Sequence, residues 1–74
     1  MLVPRERLEN KLLEVGFQFK GERRGLRIFE RGDDRIQLNA DDGFLAPTAA
    51  TYHLRRGAGC NEQEIESFLH SVKS

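Results

Sequence analysis

The chain has 74 residues, enough for one domain and too few for two, so 1–74 is read as a single domain. Twelve Lys and Arg balance twelve Asp and Glu, giving zero formal net charge. That excludes a strongly basic nucleic-acid coat and an acidic tail protein, and any grip on phosphates must rest on local asymmetry. With Cys60 as the one cysteine there is no internal disulfide, which points to a reducing compartment. No apolar run approaches a membrane span or a signal core, so the cytoplasm is the expected location.

Pro4 suits a first helical turn, and Leu8, Leu12 and Val15 recur at helical spacing before Gly16, which predicts a helix over 4–15. Phe17-Gln18-Phe19-Lys20 alternates as a strand. Gly21-Glu22-Arg23-Arg24-Gly25 reads as a hairpin loop, and Leu26 to Arg31 as a second strand closed by a turn at Gly32-Asp33. Arg35 to Asn39 alternates again, and Asp41-Asp42-Gly43 ends the sheet region. Connections this short require an antiparallel meander. A short helix follows over 48–56, stopped by Gly57 and Gly59. Asn61 and Glu64 then form a capping-box pair for a last helix, flanked by Cys60 and Ile65 at staple positions. Its buried stripe is Ile65, Phe68, Leu69 and Val72. The fold class expected is α+β, in the order α-β-β-β-α-α.

Alternation assigns Phe17, Phe19, Leu26, Ile28, Ile36 and Leu38 to the helix-facing side of the sheet. The opposite side then carries Gln18, Lys20, Arg27, Phe29, Arg31, Arg35, Gln37 and Asn39. Four of these are basic and surround one aromatic ring, and the hairpin loop adds Arg23 and Arg24. Cations that neutralise phosphates beside a ring that stacks on an unpaired base make a nucleic-acid surface. A second basic pair, Arg55-Arg56, sits where cations meet a helix C-terminus favourably without any ligand.

Other candidates are weaker. His53 and His70 titrate in the range useful for proton transfer, but nothing in the spacing supplies an orienting partner or nucleophile. His53, near Tyr52 and Arg56, is the one residue considered for catalysis. Cys60, His53 and His70 match no zinc spacing. Asn39, Asp41, Asp42 and Gly43 lack the bidentate Glu of a calcium loop. No cofactor is expected.

Several segments together resemble a known family. They are Lys11-Leu12-Leu13-Glu14-Val15-Gly16-Phe17, Ile28-Phe29, Leu54-Arg55-Arg56-Gly57-Ala58-Gly59, and Glu62-Gln63-Glu64-Ile65-Glu66-Ser67-Phe68-Leu69. In this order they resemble HicA-type toxins, small messenger-RNA interferases of bacterial toxin–antitoxin pairs. The resemblance implies a double-stranded-RNA-binding-like fold. It also implies a Gly-Ser-His element at the start of the second strand, whose histidine cleaves RNA. This chain has Arg24-Gly25-Leu26 there, and Leu26 transfers no proton.

The leading expectation is therefore a non-catalytic RNA-binding module of HicA-like type, using Lys20, Arg23, Arg24, Arg27, Phe29, Arg31 and Arg35. The alternative is a protein-interaction module that docks an antitoxin-like partner or a second copy of itself through the sheet face or an edge strand. A third is an active ribonuclease using His53.

Overall fold

The computed structural model describes residues 1–73. A first helix, a three-stranded antiparallel sheet and a helical C-terminal region follow one another, in the α+β order expected from the sequence. The elements are β1 (Val3–Pro4), α1 (Arg5–Glu14), β2 (Gln18–Arg23), β3 (Leu26–Arg31), β4 (Asp34–Asn39), β5 (Phe44–Leu45), α2 (Pro47–Tyr52), a π-helical turn (His53–Gly57) and α3 (Glu62–Lys73). The main sheet is ordered β2-β3-β4. The sequence pattern does not reveal the small clip in which β1 and β5 pair, Val3 opposite Leu45 and Pro4 opposite Phe44. Two residues per strand are too few to show any periodicity.

Local chemistry explains the ends of the helices. Helix α1 closes in a Schellman motif: the Phe17 amide donates to the Leu12 carbonyl (2.9 Å), and the Gly16 amide to that of Leu13 (3.1 Å). Gly16 has φ +103°, a backbone that a Cβ would oppose. Phe17 and Leu12, brought together by that motif, are both in the core. At α3 the capping box is present in full. The Glu64 amide donates to Asn61 Oδ1 (2.8 Å), and the Asn61 amide to Glu64 Oε1 (3.0 Å). Cys60 and Ile65 on either side of that cap are buried in the same cluster.

One hydrophobic cluster joins all parts of the chain, drawing Val3 from β1, Leu8 and Leu12 from α1, Phe29 from β3, Ile36 and Leu38 from β4, Ala50 and Leu54 from the second helical segment, and Ile65 and Phe68 from α3. The radius of gyration, 11.4 Å, fits one domain of this length.

Two hairpin turns decide which side chains face that cluster. β2 continues through Gly21-Glu22-Arg23, so the expected five-residue loop contracts to Arg24-Gly25. Both have positive φ (+53° and +76°), as a type I′ turn requires. The second turn, Gly32-Asp33, is also two residues long, with Arg31 opposite Asp34. A two-residue turn pairs odd-numbered residues of one strand with even-numbered residues of the next. Ile36 therefore lies opposite Phe29, and Leu38 opposite Arg27. Cross-strand partners share a face, so Arg27, Phe29 and Arg31 join Ile36 and Leu38 on the helix side. Between Phe19 and Gly21 a β-bulge shifts β2 by one residue and sets Phe19 opposite Phe29.

The expected assignment of β3 is thus reversed. Phe29, expected on the outer face, is 1% exposed in the core. Leu26 and Ile28, expected inside, lie on the outer face with Arg23, Gln37 and Asn39 as cross-strand neighbours or next neighbours. Ile28 is shielded there, yet stands apart from the main cluster.

The predicted helix over 48–56 divides in two. After α2 the chain widens into the π-helical turn, in which the Ala58 amide donates to the His53 carbonyl (2.9 Å). Gly57 explains how closely this turn approaches β4. A Cβ built there would come within 2.8 Å of Ile36 Cδ1 and 2.9 Å of Cγ1. Ile36 is itself buried, so it has little room to yield. Gly57→Ala is expected to cost about 1–3 kcal/mol through overpacking. Chemical denaturation of the two proteins checks this, and an unchanged midpoint would mean that the turn stands off the sheet.

Candidate nucleic-acid interface

The structure separates the seven residues expected to meet RNA into two groups. Arg27, Phe29 and Arg31 face the helices. The Arg27 guanidinium donates to Glu9 Oε2 (2.7 Å, through Nε) and Oε1 (3.1 Å), and lies 4.5 Å from the centre of the Phe19 ring. Its pKa is raised, chiefly by the hydrogen bond to Glu9. Arg31 donates to the carbonyls of Val15 (3.0 Å) and Ala58 (2.9 Å) and to Asp34 Oδ2 (3.0 Å), and covers the Phe17 ring at 4.5 Å. These two arginines are braces between sheet and helices. Phe29 lies behind them, where it reaches no base.

Lys20, Arg23, Arg24 and Arg35 are exposed. Lys20, at the bulge, shares the outer face with Gln18, to whose Oε1 its Nζ donates (3.1 Å). Arg23 ends β2 on the same face, opposite Leu26, and Arg24 forms the hairpin tip. Arg35 Nε lies 3.5 Å from Glu30 Oε2, which reduces its value as a free cation.

Most of the remaining cations are engaged, Arg56 being an exception on the far side of the sheet. Arg5, Lys11, Arg27, Arg31, Arg35 and Arg55 each stand within 4 Å of a carboxylate. Arg7 donates to the Ser71 carbonyl (3.1 Å). Among the described residues, neither the Arg23 nor the Arg24 side chain has a hydrogen bond or ion pair, and that of Lys20 has only the neutral Gln18. The formal neutrality of the chain therefore conceals a local positive surplus at one hairpin. Arg24 also holds a left-handed backbone, which costs an ordinary residue about 1–2 kcal/mol.

The second place where polar groups gather is the far edge of the sheet. Arg35, Gln37, Tyr52, His53, Arg56 and Gly57 line a cleft of about 240 Å³ between β4 and the second helical segment. Tyr52 and His53 meet edge to face, with ring centres 6.0 Å apart. Burial lowers the His53 pKa below its ordinary value, so the ring is neutral at pH 7. No carboxylate orients it and no nucleophile contacts it among the described residues. His53, the candidate for catalysis, also lines a recess with Asp42, but no hydrogen bond joins the two side chains, so the orienting contact that proton transfer needs is not formed. His70 is exposed on α3. Among the described residues no three His, Cys, Asp or Glu side chains converge to hold a metal, and no helix is long and apolar enough to cross a membrane.

Sequence reasoning passes over two features. Glu9 is an acid on the buried stripe of α1, which only an inward cation explains. Gln37 joins His53, Tyr52 and Arg56, already expected near one another, in one cleft because Gly57 lets the π-helical turn lie against β4. Compared with family models, curated proteins and solved structures, the chain matches none.

Proposed function

We propose that this chain is a non-catalytic, HicA-like RNA-binding module that works in the cytoplasm and meets phosphates through the β2–β3 hairpin. The observation that carries the reading is the cluster of Lys20, Arg23 and Arg24, three neighbouring cations without a carboxylate in a chain that neutralises most of its others. Free cations release the counterions condensed on a polyanion, the dominant source of affinity for nucleic acid. The α+β element order is compatible with the double-stranded-RNA-binding-like arrangement that the resemblance implies. The hairpin turn, where that family carries its cleaving histidine, has Arg24-Gly25-Leu26 instead. This favours binding over cleavage.

Titrations with RNA at several salt concentrations test the proposal. Replacing Arg23 and Arg24 by Gln should flatten the slope of log K against log salt, by about 0.7 for each single-strand phosphate no longer neutralised. The melting temperature should hold or rise, since both side chains are exposed and unpaired. Binding that is absent in the wild type, or that ignores salt, removes the reading.

A second reading, a protein-docking module, draws on a different observation. Leu13 and Phe19 are 48% and 44% exposed, and both line the groove between α1 and β2. A single protein that co-purifies in stoichiometric amount without RNA would select it over the first, whether that protein is antitoxin-like or a second copy of the chain.

A further inference from the structure

We infer that the cleft between β4 and the π-helical turn is a subsite for one unpaired nucleobase, with Tyr52 as its stacking platform. The inference rests on the RNA-binding reading and adds to it the kind of strand bound: a single strand whose bases are free to turn outward.

Three features carry it. The first is an available aromatic face. Tyr52 is 62% exposed at the end of α2, although a ring of this size is ordinarily well covered, and His53 meets it edge-on to form the corner of a shallow recess. The ring presents a face on which any base can stack.

The second is unengaged polarity. Among the described residues the side chains of Gln37, His53 and Arg56 have no hydrogen bond or ion pair, and the Tyr52 hydroxyl has no hydrogen-bond partner. Gln37 offers an amide with both donors and an acceptor, suited to a base edge. Neutral His53 offers one donor and one acceptor.

The third is charge. The cleft is lined by no carboxylate and by two cations, Arg56 and Arg35, of which Arg35 is shared with Glu30 (3.5 Å). Adjacent Arg55 shows the contrast. It is held by Glu62 through two hydrogen bonds (2.6 and 2.9 Å), while Arg56, one residue on, remains available to a phosphate. An acidic peptide would satisfy the cations and, through its backbone, the amide, but its carboxylates would leave the exposed ring without a stacking partner. A single-stranded polynucleotide uses all of them.

The chain provides its own probe, because Tyr52 is its only tyrosine and it has no tryptophan. Tyrosine emission therefore reports on this cleft alone. The experiment compares a short single-stranded oligouridine with an abasic ribose-phosphate oligomer of the same length, using wild type, Tyr52→Phe and Tyr52→Ala. Oligouridine should quench the tyrosine and bind more tightly than the abasic oligomer by about 5- to 100-fold, the range expected for one base stacked on one ring. Tyr52→Phe should keep that advantage, and Tyr52→Ala should lose it while retaining the abasic affinity. If both oligomers bind equally in wild type without quenching, the subsite is overturned and the hairpin reading stands. If neither binds, both fall.

Discussion

Phe29→Ala should remove about 3–5 kcal/mol of folding stability, the cost of emptying a fully buried aromatic site. In a domain of this length each kcal/mol corresponds to about 4–8 °C in melting temperature, so the transition should fall by well over ten degrees. The size of the effect follows from position. Phe29 is among the largest fully buried side chains, contacts the Phe19 ring at 5.3 Å between centres, and lies opposite Ile36 in the middle of the sheet. A small core has few residues of this size to compensate. Were Phe29 on the outer surface, as strand alternation alone suggests, the same change would shift stability by no more than about 0.5 kcal/mol. Thermal or urea unfolding separates the two outcomes. Phe29→Leu, which keeps most of the volume, should fall between wild type and Phe29→Ala; a protein that melts normally with Ala at this position would refute the inward orientation of β3.

The fold was more legible in the sequence than the site, for a definite reason. Helix α1, the three main strands and α3 each announce themselves through periodicity and end signals. The Asn61–Glu64 capping box is visible as a spacing before it is visible as two hydrogen bonds. Which face a strand presents depends on one residue of register, and β3 holds apolar residues at adjacent positions, Ile28 and Phe29. Composition alone does not choose between them. Turn length does: with two residues at Gly32-Asp33, the inward Ile36 and Leu38 require odd-numbered partners, namely Phe29 and Arg27. That signal was present in the sequence, but it placed arginines inward, against the usual expectation for charge. Glu9 removes the objection by receiving Arg27 from β3 and Arg5 from its own helix. The bulge at Lys20, the β1–β5 clip and the π-helical turn had no comparable signature, since each depends on contacts made only after the chain folds.

Glu9→Ala should be the most damaging change of a polar residue, at about 3 kcal/mol, near the lower end for breaking a buried ion pair because both arginines keep some contact with water. Glu9 is 8% exposed and holds Arg27 through both carboxylate oxygens and Arg5 through one. Arg5 in turn donates to the Ala40 (2.6 Å) and Asp42 (2.9 Å) carbonyls, so this carboxylate fixes the start of α1, strand β3 and the β4–β5 loop together. Removing it leaves the half-buried Arg27 guanidinium with only the longer contact to the exposed Glu22 (3.7 Å) as counter-charge, which costs more than losing the pair as a whole. Glu9→Leu combined with Arg27→Leu should therefore be more stable than the sum of the two single changes, and a double-mutant cycle in urea measures that coupling. Additive single effects would refute a bridge and leave the inward position of Arg27 without an explanation. The same proteins also bear on binding. Because Arg27 is committed to Glu9, Arg27→Leu should leave RNA affinity and its salt slope unchanged in whatever fraction folds, while loss of Arg23 and Arg24 alters both. Arg27 and Arg31, turned toward the helices, hold the sheet in place, whereas the exposed Arg23 and Arg24 side chains make no hydrogen bond or ion pair among the described residues that their loss would disturb.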